Sequence, residues 1–196
     1  MTRKLVVLTF VSLDGVMQAP GGKGEDPSGG FDLEGWTVTY FDQVLGNEMD
    51  RQMGQPFDLL LGRKTYDIFA SYWPHHDSPL NQAKKYLVSN RAVSTEWEET
   101  IQLKGDVVKE IEELKQQDGP MLQVHGSSDL VQTLLANDLV DELWLKIFPV
   151  TLGKGKRLFG EGTRPAAFRL LESKIAPNGV IVASYKREGE VKLGSF

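Results

Sequence analysis

The sequence predicts an α/β protein whose sheet is mostly parallel and closes with a C-terminal antiparallel hairpin. Apolar runs of strand length alternate with segments of helical periodicity along residues 4–150. Such alternation requires crossover connections, which join parallel strands. Two later strand-like runs flank Pro177-Asn178-Gly179, a sequence typical of a hairpin turn. Neither a repeat nor a linker interrupts the pattern, so we predict a single domain that spans residues 1–196.

The predicted elements follow from the spacing of apolar residues and from the turn-forming residues between them. Strands are expected at residues 4–11, 57–61, 85–89, 100–104, 121–125, 140–150, 168–176 and 180–187. Helices are expected at residues 39–53, 64–72, 107–116 and 128–137. The first helix, for example, carries Val44, Leu45, Met49 and Met53 at helical spacing.

A long segment with neither helical nor strand periodicity separates the first strand from the first helix. Residues 12–35 contain seven of the twenty glycines of the chain, together with Pro20 and Pro27. Structureless connections of this length inside a compact domain are usually functional lids or disordered segments. We therefore expect a mobile loop beside a functional site.

Composition excludes several classes of protein. A net charge of −5 and a pI near 5.3 oppose nucleic acid or an acidic membrane surface as the main partner, because both attract a basic protein. The chain has no cysteine, which excludes disulfides, zinc–thiolate sites and thiol nucleophiles. The apolar run at residues 5–11 is only as long as a strand and precedes no Ala-x-Ala-like cleavage site. We expect a cytoplasmic protein.

Three predicted strands end in polar or glycine-containing turns. The turns are Gly62-Arg63-Lys64-Thr65, Ser89-Asn90-Arg91 and His125-Gly126-Ser127-Ser128. In an open α/β sheet, ligands bind outside the carboxyl ends of the strands, so the three turns are expected to converge on one ligand. Backbone N–H groups at a helix start favour an anion there, and the phosphate of a nucleotide is the anion we predict.

Each turn also has a purely structural interpretation. Arg63 and Lys64 are a solvated pair on that view, although two cations at a helix start oppose the helix dipole unless an anion neutralises them. Ser89-Asn90-Arg91 is equally compatible with a simple turn. Ser127 and Ser128 serve as helix caps on the structural view, and the charge of Asp129 opposes a diphosphate there.

No metal site is predicted. His75 and His76 are adjacent and lie near Asp77, but neighbouring side chains do not face one another on a helix, and no third ligand is clustered with them. An exposed loop explains this pair. His125 ends a strand, where a packed and hydrogen-bonded histidine is common.

Five motifs in order along nearly the whole chain resemble the dihydrofolate reductase superfamily, in particular the branch related to the C-terminal reductase domain of the bacterial riboflavin-biosynthesis deaminase/reductase. They are Ser12-Leu13-Asp14-Gly15-Val16, Leu61-Gly62-Arg63-Lys64-Thr65-Tyr66, Leu87-Val88-Ser89-Asn90, Val124-His125-Gly126-Ser127 and Leu139-Val140-Asp141-Glu142-Leu143-Trp144. The run at residues 148–155 is similar to that branch as well. The resemblance implies a three-layer α/β/α fold with about eight strands, and hydride transfer from NADPH to a small heterocyclic or sugar-like acceptor.

The same resemblance implies positions for the cofactor. Arg63, Lys64 and Thr65 would bind its phosphates, Arg63 and Ser89-Asn90-Arg91 would favour the 2′-phosphate, and residues 13–18 would border the nicotinamide. The full set of implied cofactor-binding residues is Leu13, Met17, Gly62, Arg63, Lys64, Thr65, Ser89, Asn90, Arg91, His125, Gly126, Ser127, Ser128 and Leu130. Folate-reducing members carry a helix carboxylate shortly after a Pro-Trp pair, which this chain lacks, so folate is the weaker candidate acceptor.

A proton must accompany the hydride, and a positioned acid can supply it. Asp14, at the end of the first strand, is the first candidate, and Asp42, at the start of the first helix, is the second; Glu48 and Tyr40 are further candidates. We predict an NADPH-dependent reductase that acts on a small molecule and forms a homodimer. The alternative is a nucleotide-binding module that kept the scaffold but lost turnover. Phosphate transfer is disfavoured because the chain has no Gly-x-x-x-x-Gly-Lys-Ser/Thr motif.

Overall fold

The computed structural model describes residues 2–93 and 97–195. Its strands are β1 (Leu5–Ser12), β2 (Phe57–Gly62), β3 (Lys85–Val88), β4 (Thr100–Leu103), β5 (Met121–His125), β6 (Glu142–Phe148), β7 (Ala167–Ile175) and β8 (Ile181–Gly189). Its α-helices are α1 (Gln43–Met53), α2 (Arg63–Tyr72), α3 (Pro79–Gln82), α4 (Val107–Gln116) and α5 (Ser128–Ala136). Short 3₁₀ turns cover Ser28–Gly30, Val38–Tyr40 and Trp73–His75.

The described strands form one eight-stranded sheet in the order β4-β3-β2-β5-β1-β6-β8-β7. The first six strands in this order pair in parallel, while β8 is antiparallel to both β6 and β7. The predicted mostly parallel sheet with a C-terminal antiparallel hairpin is therefore confirmed. The carboxyl ends of the parallel strands lie along one edge of the sheet, which is where ligands bind in such folds.

Helices cover both faces of the sheet, as the three-layer prediction required. Alternate residues of β1 and β2 point to opposite faces. On one face Val7 and Leu60 pack in a cluster with Ile111 of α4 and Val131 of α5. On the other face the main clusters contain residues of α1 and α2, including Leu45 and Tyr66.

The segment at residues 12–35 is a compact loop with its own packing. Val16, Ala19 and Phe31 form a buried cluster. The side-chain amide of Gln18 donates to the carbonyl oxygens of Asp26 and Ser28, at 2.9 Å in each case. The loop is therefore held in shape by its own side chains, although it lacks a regular strand or α-helix.

The main correction to the predicted boundaries concerns the first helix. It begins at Gln43 instead of residue 39, because Phe41 and Asp42 have extended backbone and Asp42 is the N-cap. The predicted strand at residues 140–150 is shorter, at Glu142–Phe148. Within the part of the chain that the structure describes, none of the helices has both the length and the apolar character needed to cross a bilayer.

Candidate active site

A cavity of about 560 Å³ opens at the carboxyl ends of β1, β2 and β5, three neighbouring strands of the sheet. The loop at residues 17–26 and the first turns of α2 and α5 form its rim, and β1, β5 and β6 contribute to its wall. Its volume lies within the range of about 300–1,000 Å³ that is usual for small-molecule and cofactor sites. The predicted site residues among those that line it are Met17, Gly62, Arg63, Lys64, Thr65, His125, Gly126, Ser127, Ser128 and Leu130.

Two of the three predicted turns meet at this cavity. The backbone N–H of Gly62 donates to Oγ of Ser127 at 2.9 Å, which joins the turn after β2 to the turn after β5. A Cβ atom on Gly62 would lie 3.3 Å from Cβ of Ser127, so the absence of a side chain at Gly62 permits this close approach. The two helix N-termini that follow therefore open toward a common space.

The turn after β5 has an unusual backbone. Gly126 and Ser127 both have positive φ, +68° and +65°, and Ser127 is the N-cap residue of α5. Glycine adopts this conformation at little cost, whereas a residue with a side chain does so rarely. Among the residues that the structure describes, none has an atom within 4 Å of the position of a Cβ atom on Gly126, so the turn leaves open space next to its backbone.

The cations of the rim are paired with carboxylates. Nε of Arg63 donates to both oxygens of Asp67, at 2.9 and 2.8 Å. Lys64 pairs with Asp26, which also accepts from Nζ of Lys156 at 2.9 Å. A carboxylate of the loop therefore occupies the anion position that the sequence pattern predicted next to Lys64.

Asp26 is held as an anion by these contacts. Burial raises the pKa of its carboxyl group, but hydrogen bonds from Lys64, Ser28 and Lys156 outweigh burial and hold the pKa well below its usual range. The Asp26 carboxylate also draws the loop toward α2, because Lys64 is on that helix. The contact therefore links the loop to the rim of the cavity.

The structure does not bring the third predicted turn into the cavity. Oγ of Ser89 donates to the carbonyl oxygen of Arg91, and Oδ1 of Asn90 accepts from the N–H of Gly105. Polar side chains that bond to their own turn in this way stabilise it without a ligand. The turn follows β3, one strand beyond β2 toward the edge of the sheet. Nη1 of Arg63 donates to the carbonyl oxygen of Ala92, directly after the turn, at 3.5 Å.

Asp14, the first predicted proton donor, also lies outside the cavity wall. Its carboxylate accepts from Oγ of Ser12 at 2.6 Å and from the N–H groups of Leu152 and Gly153 at 3.0 and 2.7 Å. The Ser12 hydroxyl, together with the two N–H groups, outweighs burial and lowers the pKa of Asp14 to about 2. The carboxylate connects two loops and stays ionised, which does not suit a proton donor.

Two further predicted residues lie apart from the cavity. Asp42, the second predicted proton donor, accepts from the N–H of Leu45 at 2.9 Å and thereby caps α1. Leu13 is 63 % exposed and does not line the cavity, because its N–H bonds to the carbonyl oxygen of Val150 and the chain turns away. The loop reaches the cavity with Met17 to Gly21 instead.

The deep wall of the cavity contains a polar network that the sequence reasoning missed. Nζ of Lys146, on β6, donates to Oε1 of Gln52, on α1. The backbone carbonyl of Gln52 accepts from Nε2 of Gln123 at 3.1 Å, and Oε1 of Gln123 lies 2.9 Å from Nε2 of His125. The sequence did contain a signal for this network. Lys146 lies inside the largely apolar strand at residues 142–148, and a lysine is rarely buried in such a strand.

The two ionisable groups of this network have strongly shifted pKa values. Burial lowers the pKa of Lys146 to about 8. Desolvation, and then the positive charge of Lys146, lower the pKa of His125 to about 3, so the imidazole is neutral. Perturbed groups in a cleft are typical of functional sites.

Comparisons with known proteins show which sequences and structures this chain is similar to. Two curated relatives are uncharacterized proteins from Bacillus subtilis (strain 168). YyaP is 26% identical over 95% of this chain and 96% of its own length. YwjB is 27% identical over 89% of this chain and 92% of its own length. Among solved structures, a riboflavin biosynthesis-like protein from Shewanella sp. PV-4 has a TM-score of 0.68 and 25% identity over 96% of this chain and 99% of that one.

Two more distant structures share the fold. A pyrimidine reductase-like protein from Corynebacterium diphtheriae has a TM-score of 0.64 and 15% identity over 96% of this chain and 93% of its own. Dihydrofolate reductase from Enterococcus faecalis, complexed with NADP(H) and RAB-propyl, has a TM-score of 0.61 and 13% identity over 95% and 99%. The family model for the RibD C-terminal domain matches residues 3–182, so the chain belongs to the RibD C-terminal domain family.

Proposed function

We propose that the chain is an NADPH-dependent reductase that transfers a hydride to a small heterocyclic or sugar-like acceptor. The observation that carries this proposal is the meeting of the turns after β2 and β5 at one cavity, joined by the Gly62–Ser127 hydrogen bond. The family and the fold of reductases support an oxidoreductase. The NADP(H) complex of the Enterococcus faecalis enzyme supports this choice of cofactor by analogy of fold.

The residues present at the rim fit a dinucleotide phosphate. The open space next to Gly126 lets a diphosphate approach the backbone, and the first N–H groups of α5 have no partner inside the helix. Arg63 and Lys64, which pair with Asp67 and Asp26, would exchange these carboxylates for the phosphate, and Thr65 would supply a hydroxyl group. A reduced nicotinamide would supply the hydride, and the chain would contribute binding, orientation and exclusion of water.

The inner part of the cavity suits a flat ring. Its walls include Phe10, Met49, Met53 and Trp73, which are apolar side chains with large surfaces. Apolar walls with few polar groups are typical of small-molecule sites. We therefore place the nicotinamide and the acceptor in this inner part.

The alternative remains a nucleotide-binding module without turnover. The positions of Asp14 and Asp42 favour it, because neither of these predicted donors reaches the cavity. Consumption of NADPH in the presence of candidate pyrimidines and pterins separates the two proposals. Binding of NADPH without consumption of any acceptor would favour the module.

The experiment that tests the cofactor uses the tryptophan fluorescence of the protein. Titration with NADPH and with NADH should show tighter binding of NADPH, and Arg63→Ala should weaken NADPH much more than NADH, since a guanidinium group binds the extra phosphate by forked hydrogen bonds. Lys109→Ala, which removes an exposed cation that pairs with Glu113 four residues later on α4 and does not line the cavity, is the matched control. Equal losses for both cofactors would remove Arg63 from this role.

We also propose that the chain forms a homodimer through its C-terminal hairpin. The edge strand β7 exposes Leu170, Leu171 and Ile175, and the neighbouring Ile181 is partly exposed as well. An apolar edge strand is a template for pairing with another chain. A second copy of this chain would cover it.

A further inference from the structure

We propose that Lys146 is the proton donor of this cavity and that the acceptor carries a C=N or C=O bond whose heteroatom receives the proton. This inference rests on the proposed reductase function and identifies the catalytic group that neither Asp14 nor Asp42 supplies.

The position of Lys146 is the first step. It is 4% exposed, yet it lines the cavity, next to Phe10, its register partner on β1. Its Nζ atom donates to Oε1 of Gln52, and the ring centroid of Phe10 lies 6.0 Å away. An ammonium group has three donors. Two of them are uncommitted to any partner in residues 2–93 and 97–195, and the cavity is the space in which a ligand can meet them.

The second step is the lack of a neutralising carboxylate. Glu48, on α1, is the charged group that most favours the protonated form of Lys146, but it is already paired with Arg51 and with Lys174, whose Nζ lies 2.6 Å from Oε2. Throughout the described ranges, no carboxylate forms an ion pair with Lys146. A buried charge without a partner is costly, and proteins usually keep one where it has a function.

The pKa of Lys146 agrees with this role. Burial lowers it to about 8, Glu48 opposes that change, and Arg51 adds to it. A general acid is most effective when its pKa lies near the working pH. An arginine at this position would stay protonated throughout, because the pKa of its guanidinium group exceeds about 12.

His125 cannot take the same role. Nε2 of Gln123 donates to the carbonyl of Gln52, so Oε1 of Gln123 faces His125, and the network assigns the imidazole proton to Nε2. Nδ1 then carries a lone pair that accepts no hydrogen bond from the described residues. Because β1 separates β5 from β6, the strands of His125 and Lys146 lie about 10 Å apart. The wall thus offers one donor and one acceptor, which fits a heterocycle with a C=N or C=O group and an N–H group.

Glu25 is the rival donor. It lines the cavity, and burial raises its pKa. Its Oε2 atom, however, accepts from the N–H groups of Gly21 and Gly22 at 2.6 and 3.2 Å, and both bonds favour the ionised form. It also lies on the loop at the rim, away from the inner wall where Lys146 is.

The proposed step is balanced. The acceptor carbon gains the hydride that NADPH loses, and the π pair of the C=N or C=O bond moves onto the heteroatom. That heteroatom takes a proton from Nζ of Lys146. The acceptor is thereby reduced to an amine or an alcohol, NADPH is oxidised to NADP⁺, and the neutral amine of Lys146 regains its proton from water.

The test combines binding, titration and turnover, with 7,8-dihydropterin, a cyclic imine, as the acceptor probe. Lys146→Met removes the proton but keeps an unbranched side chain, Lys146→Arg keeps the charge, and Glu25→Gln tests the rival. We expect NADPH binding by fluorescence to change less than about two-fold in both Lys146 variants, and kcat to fall about 10²-fold or more. The wild-type kcat should decline above pH 8, where Lys146 loses its proton, and Lys146→Met should lack this decline.

A readout independent of turnover is the ¹³Cε resonance of Lys146, assigned by its absence in Lys146→Met. Its titration midpoint should lie near pH 8 and should move when 7,8-dihydropterin is added to the protein with NADP⁺. Three results would overturn the inference. The first is a ¹³Cε resonance that does not shift when the probe is added, and the second is a Lys146→Arg variant with the wild-type pH profile. The third is loss of the alkaline decline in kcat in Glu25→Gln. Wild-type protein that fails to bind NADPH would overturn the proposed function, and this inference with it.

Discussion

The N–H of Gly62 and the hydroxyl of Ser127 are joined by a 2.9 Å hydrogen bond across 65 residues of sequence. This contact fixes the distance between the N-termini of α2 and α5, because each residue directly precedes its helix or caps it. Two sites of positive helix-end potential are thereby held next to one cavity. An elongated ligand with several negative charges is the partner that this arrangement suits.

Gly126→Ala is expected to weaken NADPH binding by more than its effect on folding explains. The new Cβ would enter the open space next to the turn, and the positive φ would cost about 1–2 kcal/mol of stability. Gly162→Ala is the matched control, since Gly162 also has a positive φ, +87°, with open space around its Cβ position, and it does not line the cavity. Thermal unfolding should shift similarly in both variants, whereas fluorescence titration should show weaker NADPH binding in Gly126→Ala alone. Equal affinities in the two variants would contradict a diphosphate at this turn.

Asp26→Asn is expected to tighten NADPH binding by about two- to five-fold, because it releases the half-exposed Lys64 from a competing contact worth about 0.4–1 kcal/mol. The substitution removes the carboxylate that competes with a phosphate for Lys64 and Lys156. Asp32→Asn removes a carboxylate of the same loop that pairs with Lys154 outside the cavity, and it should leave the affinity unchanged. Weaker binding in Asp26→Asn would mean that Asp26 positions the loop for the ligand instead of competing with it.

Asp14→Asn is expected to lower the free energy of unfolding at pH 7 by about 2 kcal/mol. This is the free energy that corresponds to the shift in the pKa of Asp14 on folding. The pKa of Asp14 falls from its ordinary 3.8 to about 2 on folding. Because the folded pKa is the lower one, this stabilisation is present above pH 3.8 and is lost as the pH falls toward 2. Urea unfolding at pH 7 and at pH 2 should show the two proteins converging at the acid end. Asp118→Asn, at an exposed bend, is the control for the loss of a surface carboxylate and should change the free energy of unfolding at pH 7 by less than about 0.5 kcal/mol.

Ile175→Lys is expected to convert the proposed dimer to a monomer. Ile175 is 74% exposed on the edge strand β7. In the dimer, a lysine at this position would be buried in the interface with an unpaired charge. Light scattering after size exclusion measures the mass of each variant. Leu193→Lys, which alters a 93% exposed side chain beyond β8, should keep the wild-type mass. A monomeric wild-type protein would end the dimer proposal.

Sequence by itself determined the strands, most helices and the two turns that meet at the cavity. These features depend on local patterns: apolar periodicity, glycine at positive φ and polar residues at strand ends. The turn at Gly126 is an example, since glycine adopts its positive φ at little cost and marks the turn in the sequence. Local signals of this kind can be identified in the sequence without knowing which strands pair.

Tertiary structure alone decided which polar residues reach the cavity. Asp14 is held by N–H groups 138 and 139 residues away, and Asp26 by Lys156, 130 residues away. Lys146 enters the site through the pairing of β6 with β1 and a contact to Gln52 across 94 residues. No local pattern encodes such contacts, because they depend on strand order and register. Burial in the assembled sheet, together with the contacts it creates, then sets the charge of each group.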